Sequence, residues 1–369
     1  MKPTAIDLGT PAAPKSSAKP APGAARARVA PEREHARVAV LGASGYAGQE
    51  FARFAAQHPG VTLAVLASRE HAGRPAAEML PGVDPRGEVL PTVADPGQLA
   101  HLARSGVFDT LVLALPHGAW KELAAIEPAL AETPARIIDL SSDHRDGEGG
   151  YVYGLPETHR DAIAEATRVA NPGCYPTVAT LALLPAAEAG WLTGPVVVSA
   201  LSGVSGAGRT PALRTSFVEL EGGAAVYKAG TVHPHVPEME RNLAALGAAV
   251  PVAFAPQLAP MARGILLTAT TQLAEPVTPE EAQKLYAERY ADERFVRVLP
   301  AGTWPETRSV RASNRCDVAI TTLHDGRTLL AAAAIDNLVK GAAGQALQNL
   351  NLMTGWPEDW ALPVHGTPW

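Results

Sequence analysis

The sequence predicts an α/β protein with a doubly wound parallel sheet domain and an α+β catalytic domain built on a mainly antiparallel sheet. Three observations lead there. Between Arg37 and Leu140, short β-branched runs alternate with helical patterns, which implies right-handed βαβ units and a parallel sheet. After Asn171 that rhythm breaks, and the far runs Gly264–Leu273, Cys316–Leu323 and Thr328–Ile335 read as strands of a second, antiparallel sheet. The chain has 369 residues, too many for one core when domains run roughly 100–200 residues.

Composition narrows the function classes. Apolar residues make up 47% and the net charge is -6 with no basic block, so nucleic acid is not the expected partner. No apolar stretch approaches the ~20 residues of a membrane span. Cys174 and Cys316 are the only cysteines, too few for a disulfide framework or a four-thiolate zinc site. A reducing, cytoplasmic setting is expected.

Residues 1–36 are dominated by Ala and Pro and hold no Phe, Tyr or Trp. Such a segment buries too little apolar surface to offset its ordering entropy, so it reads as a disordered tail. Order begins with the strand Arg37–Leu41. Gly42, Gly45 and Gly48 follow at GxxGxxG spacing, with Ser44, Tyr46 and Ala47 between them, and a helical pattern runs through Gln49–Gln57. Glycines there permit a tight turn and close approach of a pyrophosphate, and the helix N-terminus supplies free N–H groups. A tight turn on any α/β protein is the plain alternative.

The second strand, Val61–Ala67, ends at Ser68-Arg69, with Glu70 beyond. An NAD site places an acidic side chain at this position. A guanidinium and a hydroxyl suit a 2′-phosphate instead, so the sequence leans to NADP(H). An ordinary surface arginine is the alternative. Thr110–Leu115 reads as a third strand stopped by Pro116-His117-Gly118, residues 119–131 as a helix, and Arg136–Leu140 as a fourth strand.

Asn171-Pro172-Gly173-Cys174-Tyr175-Pro176-Thr177 then leads into the helical run Val178–Ala189. That places Cys174 at or near a helix N-terminus, where the dipole and unsatisfied N–H groups favour a thiolate and can hold an oxyanion. The rigid Pro-Gly and Tyr-Pro flanks argue against a buried structural cysteine. Cys316, in an alternating strand, reads as packing. Val196–Ala200 leads into a small-residue stretch, Ser202 to Gly208, ending at Arg209, which suits a carboxylate or phosphate. His233-Pro234-His235-Val236-Pro237-Glu238 opens a helix over 238–247. Two histidines beside a carboxylate suit acid–base work; with Cys174 they form an alternative zinc set. Alternation places His233 and His235 on opposite faces of an extended stretch. His235, three residues before Glu238, is then the acid–base oriented by that carboxylate, and His233 places substrate.

GASGYAG, LPHG, NPGCYPT, SGVSGAGR, HxHxPE, RGI and DNLVKGAAGQALQNLN occur in this order. Together they resemble the N-acetyl-gamma-glutamyl-phosphate reductases of arginine biosynthesis, from Arg37 to about Trp356. The resemblance implies a fold like glyceraldehyde-3-phosphate and aspartate-semialdehyde dehydrogenases: a Rossmann domain over 37–173 and 336–369, and a catalytic and dimerisation domain over 174–335. It implies that Cys174 is the nucleophile, that His233, His235 and Glu238 form the acid–base group, and that Gly42 to Gly48 hold NADP(H). Further cofactor contacts are implied at Pro116, His117 and Asn337, and substrate contacts at Ser205 and Arg209; no metal is implied. Pro234 departs from the family, which usually has Arg between the two histidines. The expected reaction reduces a small-molecule acyl phosphate through a cysteine thioester, in a homo-oligomer, dimer or tetramer. The alternatives are the paralogous aminoadipate-phosphate reductase of lysine biosynthesis, acting on a carrier-protein-bound substrate, and a non-catalytic NADP-binding regulator.

Overall fold

The computed structural model describes residues 35–84 and 90–367. The tail reading lies outside the described residues, apart from its last two positions. The first sheet contains β1 (Ala36–Leu41), β2 (Val61–Ala67), β3 (Thr110–Leu113), β4 (Arg136–Asp139), β5 (Val152–Tyr153) and β6 (Arg168–Ala170). Its order is β2-β1-β3-β4-β6-β5 and every pairing is parallel. The second sheet contains β7 (Val196–Ser202), β8 (Ala225–Val226), β9 (Val252–Leu258), β10 (Ile265–Gln272), β11 (Val296–Val298), β12 (Cys316–Leu323) and β13 (Thr328–Ile335). Its order is β11-β12-β13-β10-β7-β9-β8. Only β11–β12 and β7–β9 pair in parallel there, so the expected mainly antiparallel sheet is what forms.

The helices of the first half are α1 (Tyr46–Ala56), α2 (Ala76–Met79), α3 (Leu99–Arg104), α4 (Ala119–Ile126), α5 (Pro128–Ala131) and α6 (Pro156–Glu165). Those of the second are α7 (Cys174–Glu188), α8 (Phe217–Leu220), α9 (Val236–Ala245), α10 (Pro279–Arg289), α11 (Thr307–Val310) and α12 (Gly344–Met353). Residues 119–131 are two helices rather than one. Glu127 takes φ -124 and ψ 74, because the ring of Pro128 disfavours helical backbone in the residue before it. The helix expected over 238–247 starts at Val236, with Pro237 in its first turn, where a missing N–H costs nothing.

Helix α7 is buried on all sides from Tyr175 to Ala187, as expected of a helix apolar around its whole circumference. It packs on the second sheet through Val178, Leu181, Val198, Leu267 and Ala331. The chain ends by returning to the first sheet: Ala346, Leu347 and Leu350 of α12 share a core with Val38, Phe51 and Ile138. The C-terminal ends of the parallel strands thus face the start of α7, and the cleft between them holds the candidate site.

Candidate active site

A cleft of about 920 Å³ is lined by the glycine loop, Cys174, the 205–211 loop, His235 and the segment 337–342. Helix α1 starts at Tyr46 with no side chain capping it, leaving N–H groups of its first turn available to an anion. The glycines are required by packing. Gly42 has φ +83, and a Cβ on it would stand 2.4 Å from the Ala114 carbonyl oxygen; one on Gly48 would stand 2.4 Å from the Gly42 oxygen. Gly42, Ser44, Gly45, Tyr46, Ala47 and Pro116 line the cleft. His117 does not: it is exposed, with its Nδ1 2.6 Å from Asp143 and 2.7 Å from Ser142. A carboxylate and a hydroxyl from the loop after β4 hold the ring there.

At the end of β2, Ser68 is buried and donates to the Ser44 hydroxyl at 3.0 Å. Arg69 is exposed, while Glu70 lines the cleft. Across the cleft, Arg209 donates to the Ser44 carbonyl at 2.8 Å, so its guanidinium bridges two loops rather than standing alone. Asn337 donates to the Ser205 hydroxyl at 2.9 Å and accepts from the Gly264 N–H at 2.7 Å, which fixes the 205–211 loop against the C-terminal segment.

Cys174 is the first residue of α7, with Gly173 as the N-cap. Burial pushes its thiol up to about 11, while the Arg145 guanidinium and the N–H groups of Tyr175 and Cys174 pull the other way. Desolvation therefore outweighs the helix N-terminus in the free enzyme, and the thiol needs a base to deprotonate it. The histidine lining the same cleft is His235. Its Nε2 and Arg145 Nη1 both crowd Gly173, at 2.7 and 2.8 Å from where a Cβ would stand. Its Nδ1 is buried without a partner. Burial, followed by the Arg145 charge, holds the His235 ring well below the usual histidine range, so it is neutral near pH 7.

The two histidines do not face opposite ways. Their rings lie 4.8 Å apart, and both sit edge-on to Tyr175. The segment turns instead of extending: His235 has φ -82 and ψ -14, and its N–H donates to His233 Nδ1 at 3.2 Å. His233 is buried among Tyr175, Tyr227 and Phe254, and that burial lowers it to about 4. It does not line the cleft.

Glu238 is engaged away from His235. Its carboxylate accepts from Arg145 Nη1 at 3.0 Å, the Tyr153 hydroxyl at 2.8 Å and the Gly173 N–H at 2.9 Å. Arg145 also donates to the Asn171 and Leu140 carbonyls at 2.9 Å each. A buried ion pair thus clamps the turn before Cys174 from both sides. Sequence reading missed Arg145; the available signal was its place just beyond the fourth parallel strand, where ligand clefts of such sheets lie. Among the described residues no group of three or more His, Cys, Asp and Glu side chains is placed to hold a metal ion.

A parallel nucleotide-binding sheet, a second mainly antiparallel sheet and a cysteine at the junction define a dehydrogenase of the semialdehyde dehydrogenase class. Residues 37–166 match the semialdehyde dehydrogenase NAD binding domain, and residues 174–337 the semialdehyde dehydrogenase dimerisation domain. Aspartate semialdehyde dehydrogenase II of Vibrio cholerae has the same fold, with a TM-score of 0.69 at 17% identity over 87% of this chain and 99% of that one. The Candida albicans enzyme, solved with NADP, gives 0.66 at 16% over 87% and 98%. Sequence likeness is closer to proteins named N-acetyl-gamma-glutamyl-phosphate reductase: 44% identity to that of Thermus thermophilus and 41% to that of Desulforamulus reducens. Each match covers 89% of this chain and 99% of the relative. The chain belongs to the N-acetyl-gamma-glutamyl-phosphate reductase family.

Proposed function

We propose that this protein reduces N-acetyl-glutamyl 5-phosphate to N-acetyl-glutamate 5-semialdehyde with release of phosphate, as a cytoplasmic enzyme of arginine biosynthesis. The observation carrying this reading is the single cleft that joins the glycine loop, Cys174 and His235. The glycine loop and the uncapped start of α1 fit a dinucleotide pyrophosphate. Arg69, with Ser68 behind it, is the proposed partner of the 2′-phosphate of NADP(H), and Asn337 the contact at the far end. NADPH bound there supplies the hydride.

Neutral His235 takes the Cys174 proton. The thiolate attacks the acyl carbon, the C–O bond to phosphate breaks, and a thioester forms as phosphate leaves. N–H groups at the start of α7 hold the developing oxyanion. After reduction at the thioester carbon, the protonated His235 stabilises the thiohemiacetal oxyanion. The C–S bond then breaks to release the aldehyde and the thiolate, and His235 returns its proton to Cys174. Arg209 and Ser205, on the loop facing the thiol, are the proposed substrate contacts. Glu238, through Arg145 and the Gly173 N–H, positions the turn. His233 supports His235.

The outer face of the second sheet leaves Val197 51% exposed, and we infer that a second copy of the chain covers it in a homo-oligomer. The test of function is phosphate-dependent NADP reduction with N-acetylglutamate semialdehyde, run against the aminoadipate counterpart on its carrier protein. Turnover with the first and none with the second is expected; the reverse assigns the lysine pathway, and neither refutes the reading.

A further inference from the structure

Cys174 rests on a glycine from the far end of the chain. A Cβ on Gly341 would stand 2.7 Å from Cys174 Cβ and 3.2 Å from its Cα, and the shorter of these is a contact that forces one of the two residues to move. Gly341 lies in a π-helical turn, Val339–Ala343. Its N–H reaches back to the Asp336 carbonyl at 3.0 Å, and that of Ala343 to the Leu338 carbonyl at 2.8 Å. Such a turn holds one residue more than an α-helical one, and π-turns concentrate at functional sites. The neighbours of Gly341 are Lys340 and Ala342. A one-residue slip in the turn therefore brings a Cβ against the thiol-bearing residue.

The turn also holds a lysine with no exposure. Lys340 Nζ donates to Glu157 Oε1 at 2.7 Å and Gln348 Oε1 at 2.9 Å, and both ionic side chains are at most 1% exposed. Glu157 belongs to α6, so the pair ties the turn to the first sheet's helix layer. Asn171 adds a second tie, donating from the turn before Cys174 to the Ala342 carbonyl at 3.2 Å. A buried ion pair is a poor source of net stability, because desolvation offsets the attraction; fixing a register is its best-attested use.

We propose that Lys340, through Glu157, is a positioning residue for the nucleophile: the buried pair locks the π-turn so that Gly341, and no residue with a Cβ, faces Cys174. This rests on Cys174 being the reactive thiol, which alkylation of the unaltered protein tests separately from any reductase activity.

The experiment uses the full chain with Cys316→Ser, leaving one thiol to label. Iodoacetamide alkylation of Cys174 is followed from pH 6 to 10, alongside kcat, KM and Tm. Two variants are compared: Lys340→Met with Glu157→Gln, which removes both charges together, and Gly341→Ala, which keeps the pair. Both are expected to slow alkylation and lower kcat by about 10- to 100-fold, the scale of an ångström-level misplacement, with KM within about twofold. A folded double variant with unaltered alkylation and kcat overturns the role of Lys340. Should the double variant not fold, Glu157→Gln decides, since it removes the ion pair and keeps a hydrogen-bonding side chain: an unaltered thiol profile there overturns the proposal, and a slowed one supports it.

Discussion

At the residue scale, the site separates groups that chain proximity had joined. Glu238 lies three residues from His235, yet its carboxylate goes to Arg145, Tyr153 and the Gly173 N–H. In the proposed mechanism His235 is therefore a base by its neutrality rather than by a carboxylate partner. The expectation is that His235→Asn lowers single-turnover hydride transfer by ~10²–10⁴, the usual worth of a positioned acid–base. His233→Asn, off the cleft, lowers it far less. Cys174→Ser serves as the limit: it retains cofactor binding and loses reduction, since a hydroxyl is a far poorer nucleophile. A sharp fall for His233→Asn with little for His235→Asn reverses the assignment. The pairing of Arg145 was not legible, because its partner Glu238 is 93 residues away; Lys340 and Glu157 are 183 apart. The place of Cys174 at a helix start was legible because its flanking prolines and glycine are local signals.

At the element scale, eight strands were legible because β-branched runs bounded by glycine and proline are local signals, whereas β5, β6, β8, β9 and β11 went unread, four of them only two or three residues long. The break at Glu127 was legible in principle from Pro128, but the apolar spacing across it masked the stop. The π-turn at 339–343 was not legible, since it depends on Lys340 being drawn to α6. The end of β2 carries a prediction about cofactor choice. Ser68 is occupied by Ser44, so selection for the 2′-phosphate falls on Arg69, set beside a Glu70 that faces the cleft. Arg69→Ala is expected to weaken NADPH binding by roughly tenfold or more, for a lost charge-assisted contact of about 1.5–3 kcal/mol, and to leave NADH unchanged. Equal kcat/KM for the two cofactors in the unaltered protein refutes this.

At the scale of the whole molecule, buried neutral histidines make stability depend on pH. His58 stacks on Trp356 and meets Trp360 edge-on, and burial lowers it from 6.5 to about 4. Its Nδ1 accepts the Gly60 N–H at 3.0 Å and its Nε2 lies 3.1 Å from Asn351 Oδ1, an arrangement that suits the neutral ring. His233 is lowered to about 4 as well. Below about 6.5 the unfolded chain binds protons at these rings and the folded chain does not until about 4. Stability is therefore level above that window and falls as pH drops through it, by up to ~1.4 kcal/mol per pH unit for each ring. Glu50 does not blur the test. Although burial raises its carboxyl, bonds from Arg263 and Arg53 bring it down to about 2, so its loss comes at lower pH. Urea unfolding between pH 6.5 and 4.5 is expected to show the decline, and His58→Gln to remove one proton's share of the slope whatever its effect on stability at neutral pH. Identical slopes for the two proteins would mean that His58 titrates alike in the folded and unfolded chains.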